Sequence, residues 1–126
     1  MSAIARYFLH EGAKVAGYDR TPSPLTAQLE AEGAEIHYED SVALIGQAWR
    51  DKENTLVIYT PAIPSDHSEL CYFFEEGFEV VKRSEALGHL TAGKRTTAIA
   101  GTHGKTTTTT LTSWITLRST GAGNAF

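Results

Sequence analysis

The segment Ile99-Ala100-Gly101-Thr102-His103-Gly104-Lys105-Thr106 constrains this chain more than any other. Thr96 to Ala100 reads as an apolar strand, and Lys105 to about Leu117 reads as a helix. A glycine turn between a strand and a helix is the setting a phosphate-binding loop requires. Gly101 and Gly104 allow a tight turn and a close approach of backbone to phosphate. The first amides of the following helix, with its dipole, then face the anion. Lys105 is placed to reach the β- and γ-phosphates, and the Thr106 hydroxyl to ligate magnesium. Thr102, His103 and Thr107 complete a set of backbone or side-chain phosphate contacts.

The loop departs from the common G-x-x-x-x-G-K-[ST] pattern, because the first glycine would fall at position 99, an isoleucine. A plain strand-to-helix turn would use the same glycines for geometry alone. It gives no reason for a lysine and a threonine directly after Gly104. Nor does it explain threonine at every position from Thr106 to Thr110, since β-branched residues are poor helix formers. His103 either bonds a phosphate or fills a tolerant loop position.

Upstream, strands and helices alternate. Ser2 to Glu11 reads as a helix stopped by Gly12, with a strand over 13–18 ending at Asp19. A helix over 25–32 stops at Gly33, and a strand follows over 34–38. Asp40 is expected to cap a helix running to Trp49. Residues 55–59 read as a strand buried on both faces. Asp66 is expected to cap a helix to Glu76, stopped by Gly77 and followed by a strand over 79–82. Ser84, Leu87 and Leu90 mark a short helix. This alternation predicts a parallel α/β sheet with helices on both faces. The small and basic residues Thr91 to Arg95 mark a seam, giving domains 1–91 and 92–126. The chain opens in a helix where a nucleotide fold would open with a strand. Residues 119–126 read as the middle of a connection, and a mobile tail is expected there.

Composition narrows the function. The 126 residues carry a formal net charge of -4, which disfavours a nucleic-acid partner. No apolar stretch approaches the ~20 residues of a membrane span. The first residues lack the pattern of a secretory signal, so a cytoplasmic protein is expected. The single cysteine, Cys71, excludes an internal disulfide and reads as a buried, inert thiol. His10, His37, His67 and His89 are scattered without metal-ligand spacing and read as surface or helix-end residues.

Gly101 to Thr107 resembles the shortened phosphate loop of the Mur ligases, and its histidine resembles the alanine-adding branch. Residues 1–5, Gly17-Tyr18-Asp19, Thr60-Pro61-Ala62-Ile63-Pro64 and Arg83-Ser84-Glu85-Ala86-Leu87 resemble family segments in the same order and spacing. The resemblance implies a Rossmann-like UDP-binding domain over 1–91, lacking its first strand. It implies the opening β-loop-α unit of an ATPase domain over 92–126. It further implies ATP and magnesium as cofactors, with L-alanine and UDP-N-acetylmuramate as substrates joined through an acyl phosphate. Lys105 and Thr106 would act on the transferring phosphoryl group, with Thr106 on magnesium. Ser2, Asp19, Thr60 and Ala62 would line the UDP substrate. Asp19 also reads as a turn cap, and Thr60 to Pro64 as a rigid proline turn. Arg83 would touch substrate phosphate or pair with Glu85.

Three alternatives stand beside this one. The chain could belong to a sibling that reattaches recycled murein peptide to the same sugar nucleotide. A strand ending in Asp19 also suits a nicotinamide-dependent dehydrogenase, although Gly104-Lys105-Thr106 suits a triphosphate better than a dinucleotide. A non-catalytic nucleotide-binding remnant is the third. With the family's acidic magnesium ligands and adenine pocket not in this sequence, the isolated chain is expected to be inactive.

Overall fold

Parallel pairing in the computed structural model follows the predicted alternation, but in two small sheets rather than one. The structure describes residues 1–121, and the expectation of a mobile tail falls mainly on residues 122–126, outside that range. Two compact units meet between Ala92 and Gly93.

The first unit runs α1 (Ser2–His10), β1 (Ala16–Tyr18), α2 (Pro24–Ala31), β2 (Glu35–His37), β3 (Leu56–Tyr59), α3 (Ser68–Glu75), β4 (Glu79–Lys82) and α4 (Arg83–Thr91). β1 pairs with β2 in parallel, Gly17 opposite Ile36, and β3 pairs with β4, Val57 opposite Val80. Local chemistry sets the helix ends. Ser23 Oγ accepts the Thr26 amide at 3.1 Å, and the Ser23 amide donates back to Thr26 Oγ1 at 2.9 Å. That reciprocal cap, with Pro24 in the first turn, starts α2. The predicted stops Gly12, Gly33 and Gly77 follow their helices with φ of 83°, 105° and 75°.

The core draws on the four helices and the connections between elements: Ile4, Leu29, Ala34, Ile45, Leu70, Phe78 and Ala86 are buried. Each larger member contributes about 1.5–3 kcal/mol by leaving water. Phe78 meets Phe73 edge-on at 5.0 Å. No core residue lies in a strand. Leu56 is 42% exposed and Val57 to Tyr59 are only half-buried, against the expectation of a strand buried on both faces. The cause is the split sheet: β3 borders β4 alone, so one edge of β3 carries no ladder.

Two further expectations are corrected. Residues 40–49 form no α-helix but two 3-10 turns, Val42–Leu44 and Gln47–Trp49, separated by extended backbone at Ile45 and Gly46. Arg50 takes the carbonyls a helix would have used. Its guanidinium donates to Val42 O at 2.9 Å and Ile45 O at 3.2 Å. The predicted strand Thr96 to Ala100 is also not formed, because a strand exists through its ladder and no described residue pairs with this segment. Cys71 is half-buried rather than buried, with Sγ directed at Ser65 O at 3.4 Å.

The second unit is built on α5 (Lys105–Thr120), which extends past the predicted end. Thr110 Oγ1 donates to Thr106 O at 2.8 Å, and Thr120 Oγ1 to Thr116 O at 2.7 Å. These bonds back to the preceding turn occupy the hydroxyls inside the helix. Leu111, Trp114, Ile115 and Leu117 are each more than half exposed.

Candidate functional site

Gly104 is the hinge of the candidate phosphate loop. Its φ of 73° is left-handed, and nothing lies within 4 Å of where a Cβ would stand. Glycine is therefore required by backbone conformation rather than crowding. From that turn α5 begins at Lys105. Its first intrahelical bond runs from the Thr108 amide to Gly104 O at 2.9 Å, and no side chain caps the helix. The amides of Lys105, Thr106 and Thr107 thus form the open end of a 16-residue helix, suited to an anion.

Lys105 folds back over the loop. Its ammonium donates to Gly101 O at 2.7 Å and Thr102 O at 3.4 Å. His103 Nδ1 lies 3.2 Å from Thr102 Oγ1. The structure thus brings together Gly101, Thr102, His103, Gly104 and Lys105, all exposed. Thr106 and Thr107 follow in the first turn. An open groove of about 730 Å³ runs from Ile99, Lys105 and Thr106 along α5 to Trp114 and Leu117. This arrangement can receive an anion: open helix-end amides, a lysine ammonium and a glycine turn, with a threonine hydroxyl beside them.

The other sequence-derived residues lie in the first unit, at a helix start and in the loops after β1 and β3. Ser2 opens α1. Asp19 follows β1, exposed, with Oδ1 accepting the Thr21 amide at 3.2 Å in the turn-capping role weighed as an alternative. Thr60 follows β3 and accepts the Ile63 amide at 3.1 Å, while Ala62 is exposed in that turn. Among the described residues no hydrogen bond joins Ser2, Thr60 or Ala62 to Asp19.

Sequence reasoning missed a polar cluster next to these residues. Asp40, expected to cap a helix of its own, caps α3 instead. It accepts the Ser68 amide at 2.9 Å, the Ser68 hydroxyl at 2.5 Å and the Glu69 amide at 3.2 Å. Glu69 Oε1 in turn accepts the Ser41 amide at 3.1 Å and lies 2.8 Å from His37 Nε2. His67 is the N-cap of α3, in place of Asp66, and is only 6% exposed. Its Nδ1 lies 3.3 Å from Asp40 Oδ1 and 3.4 Å from the Leu70 amide, so the tautomer decides which bond forms. Its Nε2 is buried without a partner among the described residues. Tyr18 packs edge-on against His67 at 4.5 Å. Burial pushes the Asp40 carboxyl up, but bonds from the Ser68 hydroxyl, the Ser68 and Glu69 amides and the nearby His67 outweigh it. The net result lies below the ordinary carboxylate value. Only long-range pairing reveals this cluster, and no local pattern announces it.

Parallel strands alternating with helices, closed by a glycine turn and lysine at the head of a long helix, define a small α/β protein. Comparison fixes the family within that class. The family model described as Mur ligase family, catalytic domain, matches residues 1–95, and this chain belongs to the Mur ligase family. It is 54% identical over 126 residues to a UDP-N-acetylmuramate–L-alanine ligase of Parabacteroides distasonis, covering all of this chain and 27% of that protein. Proteins of the same name from Phocaeicola vulgatus and Porphyromonas gingivalis are 56% and 52% identical over the whole chain. The chain spans 27% to 28% of the length of these three relatives.

Proposed function

We propose that this chain is the nucleotide-handling front of an ATP-dependent ligase that joins L-alanine to UDP-N-acetylmuramate during peptidoglycan synthesis. One observation carries the reading: the ammonium of Lys105 stands 2.7 Å from Gly101 O, above the left-handed turn at Gly104 and the open amides of α5. A cation held by weak carbonyl acceptors is free to exchange them for phosphate oxygens, which bind it more strongly. The names of the relatives supply the substrates. On this reading residues 92–126 open the ATP-binding domain, and residues 1–91 are a Rossmann-like domain for the UDP moiety.

ATP, when bound, supplies the phosphoryl group that turns the substrate carboxylate into an acyl phosphate open to attack by the alanine amine. The chain's own residues position and neutralise charge. Gly101, Thr102, His103, Gly104 and Thr107 surround the phosphates, Lys105 offsets their charge, and Thr106 offers its hydroxyl to magnesium. Ser2 at the head of α1, Asp19 after β1, and Thr60 and Ala62 after β3 receive the UDP substrate. Because the chain spans just over a quarter of its relatives, turnover is proposed for a protein of their full length. The isolated 126 residues are expected to bind without turning over.

Calorimetric titration of magnesium–ATP and of UDP-N-acetylmuramate into the chain and into Lys105→Ala tests this. The expected result is binding of both ligands by the parent chain, with ATP binding alone lost in the variant. Equal ATP affinity in the two proteins would remove Lys105 from the site.

A further inference from the structure

The first unit consists of two half-sheets with no ladder between them, and the residues proposed to hold the nucleotide sugar stand on both. Asp19 follows β1 in one half, while Thr60 and Ala62 follow β3 in the other. Something must fix these loops relative to each other if they are to receive one ligand. The cluster around Asp40 and Glu69 lies between them.

Its chemistry is reciprocal. Asp40, just beyond β2, caps the amides of Ser68 and Glu69 at the head of α3. Glu69, in the first turn of α3, reaches back to the Ser41 amide, one residue from Asp40. Each carboxylate therefore satisfies backbone donors on the other's segment, and neither bond can lengthen without straining the other. Glu69 carries a line to a proposed substrate residue, and Asp40 carries one to the loop that follows β3. Glu69 Oε1 meets His37 Nε2 at 2.8 Å, and the His37 carbonyl accepts the Asp19 amide at 3.1 Å. Asp40 Oδ1 meets His67 Nδ1 at 3.3 Å. The His67 amide donates to Pro64 O at 3.2 Å, closing the turn directly after the one from Thr60 to Ile63. Glu69 and His67 are both buried, at 6% exposure each, whereas Asp40 is exposed.

We propose that Asp40 and Glu69 are positioning residues for the nucleotide-sugar site, a carboxylate clasp that sets the separation of Asp19 from the loop at Thr60 and Ala62. The inference rests on the reading of those loops as the UDP-substrate site. It assigns a role to Asp40, Glu69, His37 and His67.

The experiment is calorimetric titration of UDP-N-acetylmuramate into the full chain and into Asp40→Ala, Glu69→Ala and Glu69→Gln, with the Asp19 amide followed by ¹⁵N NMR. Circular dichroism fixes a temperature at which each variant is folded. Both alanine variants are expected to bind roughly tenfold more weakly and to shift the Asp19 amide resonance. Glu69→Gln keeps the acceptor oxygen for Ser41 and is expected to retain parent affinity, a rescue that general loss of stability would not produce. Magnesium–ATP affinity should not change in any variant. If the alanine variants fail to fold, Asp40→Asn decides, since it keeps one acceptor oxygen and loses the other. Weakened binding with a shifted Asp19 amide supports the clasp. Folded Asp40 and Glu69 variants that bind as tightly as the parent, with the Asp19 resonance unmoved, overturn it while leaving the substrate reading intact. A parent chain that binds magnesium–ATP but no UDP-N-acetylmuramate overturns the substrate reading, and the clasp with it.

Discussion

Asp40 and Ser68, 28 positions apart, are joined twice: the carboxylate accepts the serine amide at 2.9 Å and its hydroxyl at 2.5 Å. A helix start ordinarily finds its cap in the residue just before it, and here a distant loop adds acceptors to the cap that His67 provides. Removing the carboxylate in Asp40→Ala leaves the Ser68 and Glu69 amides without their acceptor. A loss of about 1 kcal/mol in unfolding free energy is expected, the usual scale for a lost cap. Urea unfolding followed by circular dichroism measures it, and a change indistinguishable from zero would show that water replaces Asp40 without cost.

The same bonds set a pH dependence. The Asp40 carboxyl titrates below its ordinary value in the folded chain because donors at Ser68 and Glu69, and the neighbouring His67, outweigh the opposing effect of burial. The folded state therefore binds that proton less readily than the unfolded state does. Its contribution is complete above the unfolded value of about 3.9 and is lost as pH falls through the lower folded value. The melting-temperature difference between the parent and Asp40→Asn should stay constant from neutral pH to about pH 5, then shrink in stronger acid. Glu32 and Asp51 are also held low, by Arg6 and mainly by Asn54 respectively, so only the difference between the two proteins isolates Asp40.

What the sequence made legible was whatever local chemistry decides. Ser23, Pro24 and Gly33 bracket α2 within a residue of the expected limits, and Glu79–Lys82 is β4 as read. The candidate phosphate loop stands out in the sequence for the same reason, since its glycines, lysine and threonine fall within six residues. Two expectations fail because they depend on partners far along the chain. Asp40 was assigned to the wrong helix because its amide partners lie 28 residues on. Thr96 to Ala100 has the composition of a strand, but composition cannot supply a neighbour to pair with. His67 reads as a helix-end residue and is one, while its burial, with Tyr18 of β1 packed against it at 4.5 Å, has no local signal.

Gly104→Ala separates conformation from crowding in the candidate phosphate site. No atom lies within 4 Å of the new Cβ, so the substitution clashes with nothing. The cost comes from holding alanine at a φ of 73°, about 1–2 kcal/mol. If the chain keeps this turn only when phosphate is bound, that cost appears as roughly tenfold weaker magnesium–ATP binding. Thermal unfolding of the first unit should not change, since Gly104 lies in the second. Unaltered ATP affinity would mean that the nucleotide does not use the left-handed turn.

Arg50 explains the missing helix at 40–49 and gives the sharpest test of how that segment is held. Its guanidinium donates to Val42 O and Ile45 O while lying 5.4 Å from the centre of the Tyr72 ring. A planar fork can serve two carbonyls from one side chain, whereas an ammonium is a point donor without that geometry. Arg50→Ala leaves both carbonyls without this donor and removes the stacked contact, so a loss of about 1–3 kcal/mol is expected. Arg50→Lys should recover little of it. The turn that Arg50 braces carries Ser41, whose amide Glu69 accepts, so loosening it should also shift the Ser41 amide in ¹⁵N spectra. Full recovery of stability by lysine would show that charge near Tyr72, rather than the paired carbonyl bonds, is what Arg50 contributes.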